Sequence, residues 1–208
     1  MKRNTIEKIH QPESKIRNGV IHPVILAVPP EVTGFKPKDR VVFLSRHARK
    51  ALQKSAEKSG IRLGGLTKDE NGAPVPADGV YWSITHKTRY VGGVVAPAAI
   101  GIDIEKIRSC SAALFLKTAG EEEWSLAGDK KKTPTTFFRF WTSKEAVVKA
   151  CGTGIRDLRK CRIHRIPDAE HLEIRFDEKN WRIEHFYFDG HIASIVKNKY
   201  EIDWDIRR

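Results

Sequence analysis

One apolar pattern occurs twice in this chain, once near its middle and once at its end. Val91 to Ala96 and Ile100 to Ile104 are runs rich in β-branched residues, separated by Pro97-Ala98-Ala99. Such side chains fit the pleated surface of a sheet, and the short break between the runs predicts a hairpin. Ile192-Ala193-Ser194-Ile195-Val196 and Tyr200 to Trp204 repeat the arrangement, with Ile202-Asp203 echoing Ile102-Asp103. A duplicated pattern predicts an α+β fold of two similar halves joined near Glu105, residues 1–105 and 106–208.

Other segments fill in these halves. Val20 to Val28 reads as a strand that Pro29-Pro30 ends, since proline cannot donate to a ladder, and a flexible first turn is expected before it. From Leu44 to Ser59, Leu44, Ala48, Ala51, Leu52 and Ala56 recur at helical spacing among basic residues, and Gly60 follows as a stop. Lys68 to Pro74 is dense in turn formers and leads into a strand, Val80 to Thr85, with His86 at its exit. Ser111 to Ala127 and Thr142 to Cys151 read as helices, and Leu172 to Phe176 and Trp181 to Phe188 as strands.

With 40% hydrophobic residues, nine Phe and five Trp, 208 residues can bury a substantial core. No apolar stretch follows Met1-Lys2-Arg3-Asn4, and Val91 to Ile102 is too short and too rich in glycine to span a bilayer, so neither a leader nor a membrane segment is expected. Three cysteines without a C-x-x-C pair argue against a disulfide framework or a cysteine-held zinc, and suit a reducing cytoplasm. A net charge of +12 predicts anionic partners: nucleic acid, a phosphorylated cofactor or an acidic protein. Ten Lys or Arg between Lys36 and Lys68, against Asp39 and Glu57 alone, concentrate positive charge in the first half.

Two carboxylates, Asp103 and Glu105, stand two positions apart at the end of an apolar strand and therefore project from one face. Such a pair can hold a hard cation, although acids that merely guard a strand edge have the same spacing. Glu145 and Lys149 lie one helical turn apart in Trp141-Thr142-Ser143-Lys144-Glu145-Ala146-Val147-Val148-Lys149. The plainer account of that stretch is a capping box from Thr142 to Glu145 and a surface ion pair from Glu145 to Lys149. His86 can donate to a phosphate or serve only the fold. The other histidines lack metal-ligand spacing, and no glycine-rich phosphate loop of the usual types is present.

Taken in order, Ile84-Thr85-His86, then Gly101-Ile102-Asp103-Ile104-Glu105, then Trp141-Thr142-Ser143-Lys144-Glu145-Ala146-Val147-Val148-Lys149 with Glu145 42 positions after Asp103, resemble the motifs of the 4'-phosphopantetheinyl transferase family. The resemblance runs from about Tyr81 to Ile155. Chain length and duplication resemble the family's larger type, a monomer whose halves are related by pseudo-two-fold symmetry. The family implies transfer of the phosphopantetheine arm of coenzyme A to a serine of an apo acyl-carrier or peptidyl-carrier protein. It implies Asp103, Glu105 and Glu145 as ligands of magnesium, with manganese able to replace it, and Glu145 and Lys149 as catalytic groups. Arg46, Thr85, His86 and Lys149 would contact phosphates. Where relatives often read G-K-P, this chain has Gly72-Ala73-Pro74, and Lys68 is the candidate to replace the missing cation. Neither a membrane nor nucleic acid is expected as a partner on this reading. A magnesium-dependent nuclease explains acids, lysine and charge equally well, and a basic nucleic-acid binder explains the charge, but neither accounts for the motifs.

Overall fold

The β-branched runs do form strands, yet they do not pair with each other. The computed structural model describes residues 19–208; the flexible first turn expected at the start lies outside them. Val20–Ile21 (β1) and Val24–Ala27 (β2) replace the single predicted strand, because His22-Pro23 interrupts it. Tyr81–His86 (β3) and Tyr90–Ala96 (β4) follow, and β4 lies between β2 and β3, antiparallel to both. Both edges of β4 are therefore taken. Ile102–Lys106 (β5) finds no free edge there and crosses to a second sheet, so the hairpin predicted across Pro97-Ala98-Ala99 is corrected to a link between sheets.

The same thing happens at the end of the chain. Arg162–Arg165 (β6), His171–Phe176 (β7), Lys179–Phe188 (β8) and His191–Val196 (β9) complete the second sheet in the order β5-β9-β8-β7-β6. With β9 held between β5 and β8, the chain returns to β1 and β2. Glu201–Ile202 (β10) runs parallel to β1, and Asp205–Arg207 (β11) runs parallel to β2 at the edge of the first sheet, whose order is β11-β2-β4-β3. The second predicted hairpin is thus also a crossover.

Pro37–Ser59 (α1) lies between β2 and β3 in sequence. Proline at its first turn loses no intrahelical bond, so the helix begins before the predicted Leu44, and it ends as predicted on Gly60 at φ 64°. Ala112–Thr118 (α2) and Glu121–Ser125 (α3) are short, and Pro134–Cys151 (α4) is long. Thr133 caps α4, its Oγ1 accepting from the Thr136 N–H at 3.2 Å. Thr142 sits in mid-helix and donates to Phe138 O at 2.7 Å, so the capping box expected there is replaced by a bond back into the preceding turn.

Both long helices are pressed onto a sheet. A Cβ on Gly93 of β4 would stand 2.3 Å from Leu52 N in α1, and one on Gly101, just before β5, 1.8 Å from Ala146 O in α4. Only glycine permits those crossings. The resulting architecture is mixed α and β, and its largest apolar cluster gathers Trp124, Phe140, Ile102, Ile174 and Ile183 under α4. The cysteines are unpaired, and among the described residues no helix is long and apolar enough to cross a membrane.

Candidate active site

β5 leaves the α4 crossing with Asp103 turned inward. Its side chain is 3% exposed. Oδ1 accepts from Lys149 Nζ at 2.7 Å and from Thr85 Oγ1 at 2.9 Å, while Oδ2 is buried without a hydrogen-bond partner. Lys149 also donates to Ile102 O at 3.0 Å, which ties α4 to β5. The Glu145–Lys149 ion pair expected from their spacing is therefore corrected: Lys149 reaches across to Asp103, because a buried carboxylate needs a cation more than a hydrated one does. Glu105 accepts from Lys87 Nζ at 2.7 Å.

Glu145 stands close to this group. Burial, and next the negative charge of Asp103, raise its pKa above the ordinary carboxylate value. For His86, partial burial and the ammonium of Lys149 lower the pKa, favouring a neutral ring. In Lys87, burial is outweighed by the field of Asp103 and the hydrogen bond to Glu105, and the ammonium is stabilised. Among the described residues no set of three His, Cys, Asp or Glu side chains forms a ready metal cage. The donors nevertheless suit a hard cation, because Asp103 Oδ2 is a buried oxygen lacking a partner and the neighbouring groups are carboxylates.

A cleft of about 200 Å³ opens beside these residues, lined by Lys68, Ala73, Ser83, Glu145, Lys149 and Ile155 among others. Asp103, Glu105, Glu145, Lys149, Thr85, His86 and Lys68 are thus neighbours. Arg46 is not one of the residues lining this cleft; it lines a separate groove on α1 with Arg49, Lys50, Ile61 and Leu66. Thr85 spends its hydroxyl on Asp103.

Two sets of residues escaped the sequence reading. Lys87 was visible in principle, since positions 85 and 87 share one side of an extended chain and Thr85 was already a candidate. The other set lies beneath the acids. Ser194 of β9 is the register partner of Asp103, and its Oγ lies 2.5 Å from Thr142 Oγ1 and 2.9 Å from His185 Nδ1. Thr142 gives its one proton to Phe138 O, so Ser194 donates to Thr142 and the His185 Nδ1–H donates to Ser194.

This arrangement coincides with what comparison finds. Residues 99–196 match the model of the 4'-phosphopantetheinyl transferase superfamily. Over that stretch, just under half of its length, the chain is similar to the superfamily. The chain is 32% identical over 107 residues to the 4'-phosphopantetheinyl transferase Sfp of Bacillus subtilis, covering 50% of this chain and 46% of that protein. It is 32% identical over 89 residues to the transferase psf-1 of Bacillus pumilus, covering 41% and 38% respectively. Against the transferase gsp of Aneurinibacillus migulanus it is 29% identical over 90 residues, 42% of this chain and 38% of that one. The matches thus span less than half the length of these relatives. The superfamily region contains β5, α4 and β9, the elements that carry Asp103, Glu145, Lys149 and Ser194.

Proposed function

We propose that this protein transfers the 4'-phosphopantetheine arm of coenzyme A to a serine of an apo acyl-carrier or peptidyl-carrier protein and releases 3',5'-adenosine diphosphate. The observation that carries the reading is the buried Asp103, clamped by Lys149 yet with one oxygen unpartnered, beside Glu145 and a cationic cleft.

In this mechanism Asp103, Glu105 and Glu145 would hold a magnesium ion, with manganese able to replace it. The ion, when bound, neutralises charge on the pyrophosphate of coenzyme A. Lys149 and Lys68 attract the phosphates into the cleft, and Lys68 supplies the cation that Ala73 lacks. His86 donates a hydrogen bond to a phosphate. Thr85 orients Asp103 rather than reaching the substrate. Glu145 accepts the proton of the carrier serine as the serine oxygen attacks phosphorus and 3',5'-adenosine diphosphate leaves. Arg46, with Arg49 and Lys50, gives α1 a cationic surface that steers an acidic carrier or the 3'-phosphate of coenzyme A.

The pairing order β2-β4-β3 under α1 recurs as β5-β9-β8 under α4, with α2, α3, β6 and β7 as additions, and supports two halves related by pseudo-two-fold symmetry, meeting near Glu105, in a monomer. Unpaired cysteines support a cytoplasmic setting.

The test is the intact mass of an apo carrier protein after incubation with this protein, coenzyme A and magnesium. A gain of one phosphopantetheine group, abolished by chelator, is expected. Asp103→Asn should lower turnover by about 100-fold or more while leaving the circular dichroism unchanged. No gain with several unrelated carriers, or a fully active Asp103→Asn, would defeat the assignment.

A further inference from the structure

Two lysines meet the acids of the site, and they are held very differently. Lys149 Nζ is fixed by two acceptors, Asp103 Oδ1 and Ile102 O. Lys87 Nζ has a single partner among the described residues, Glu105 Oε1 at 2.7 Å, and its side chain is 37% exposed. Its backbone is anchored by the Lys87 N–H donating to Tyr90 O at 2.8 Å, in the turn between β3 and β4. The anchor is rigid, whereas the four-carbon stem can swing into water.

We propose that Lys87 is an exchangeable counter-ion, which neutralises Glu105 in the metal-free protein and is driven off when a divalent cation binds, freeing its ammonium for the phosphates of the substrate. The inference rests on the transferase reading above. The carboxylates of Asp103, Glu105 and Glu145 repel one another, and before the cation arrives lysine ammoniums offset that repulsion. Once a divalent ion shares Glu105, it and an ammonium on the same carboxylate repel strongly. Lys149 cannot leave without breaking its bond to the β5 backbone, so Lys87 is the one that moves.

The experiment has two arms. Manganese binding is measured by loss of the free-ion signal in electron paramagnetic resonance, for the wild type and for Lys87→Met. Lysine accessibility is measured by mass spectrometry after brief acetylation, with and without saturating manganese. The variant should bind manganese about tenfold more tightly, the order of effect that one neighbouring charge exerts. Acetylation of Lys87 should rise several-fold on metal binding, while Glu105→Gln should show that higher reactivity already without metal. Tight manganese binding with unchanged Lys87 reactivity would overturn the exchange and leave the transferase reading standing. Absence of manganese binding in the wild type would bring down the metal assignment together with the exchange.

Discussion

The two long helices cross their sheets in the same way and bury very different material. At Gly93, α1 packs Ala48, Ala51, Leu52 and Ala56 onto the first sheet; its buried polar residues are two serines, Ser59 and Ser55, the latter accepting from the Val95 N–H at 3.1 Å. At Gly101, α4 brings Thr142, Ser143 and Lys144 into the interior of the second half. The two Ile-Asp pairs diverge likewise. Asp103 is buried against Lys149, whereas Asp203, at the equivalent point of the sequence pattern, is 55% exposed and pairs with His22 at 2.9 Å and Lys58 at 3.4 Å. The sheet under α1 is thus an apolar scaffold. The sheet under α4 is furnished with buried polar groups, each needing a partner, and the acids of the candidate site are where partners run short.

Replacing the crossing glycines should have the largest effect. Gly101→Ala puts a methyl carbon 1.8 Å from Ala146 O and 2.8 Å from its carbonyl carbon, both backbone atoms that cannot rotate aside. A loss on the order of 4 kcal/mol or more is expected by urea unfolding, at the severe end for a single substitution. Gly93→Ala meets Leu52 N and Cα at 2.3 Å and 2.6 Å and should cost a similar amount. The pair would part company in manganese affinity: only the Gly101 variant shifts Glu145 away from Asp103. Wild-type stability in either variant would disprove the close crossing on that side.

Next comes the buried charge that has no counterpart in α1. Lys144 Nζ donates to Glu123 Oε1 at 2.7 Å and to Thr118 O at 2.8 Å, and Glu123 also accepts from the Ile163 and Gly120 N–H groups, both at 2.9 Å. The pair binds α4 to α3 and β6. Lys144→Met leaves Glu123 buried without its cation and should cost about 3–5 kcal/mol, with part of the loss recovered when Glu123 is also changed to Gln, which removes the stranded charge while its oxygen still accepts a backbone N–H. Ser55→Ala, the closest equivalent in the first half, should cost about 1 kcal/mol. Equal losses at the two positions would mean that the halves differ less than their contents imply.

How much of this was legible in the sequence depends on the range of the interaction involved. Gly60 ending α1, the strand before His86 and the acids of β5 are local, and spacing alone indicated them. Both hairpins failed because the choice of partner for β5 and β10 depends on whether β4 and β9 still have a free edge, which is settled by strands remote in sequence. Thr142 illustrates the same limit within a helix. Its distance from Glu145 fits a capping box, but the helix starts at Pro134, after the cap at Thr133, and a mid-helix threonine bonds backward. The motif residues were found through resemblance, while Lys87, Ser194 and His185 have no motif to announce them.

The smallest expected effect concerns the hydrogen-bond chain beneath Asp103. Because Thr142 donates to Phe138 O, the chain runs from the His185 Nδ1–H to Ser194 to Thr142, and His185 Nε2 is left buried without a partner. Nitrogen-15 shifts of the ring should therefore show the proton on Nδ1. A proton on Nε2 would reverse the chain and detach Thr142 from Phe138. His185→Asn keeps an N–H near the Nδ1 position and should be milder by about 1 kcal/mol than His185→Gln, whose amide reaches past Ser194. Burial, followed by the charge of Arg139, holds the His185 pKa well below its ordinary 6.5. Protonation thus favours the unfolded chain, so stability is fully present above pH 6.5 and declines as pH falls below it, by up to about 1.4 kcal/mol per unit. The Asn variant has no such proton to gain, and its stability should lose that part of the slope. A wild-type slope retained in His185→Asn would assign the acid sensitivity to another group and leave only the tautomer to support the chain.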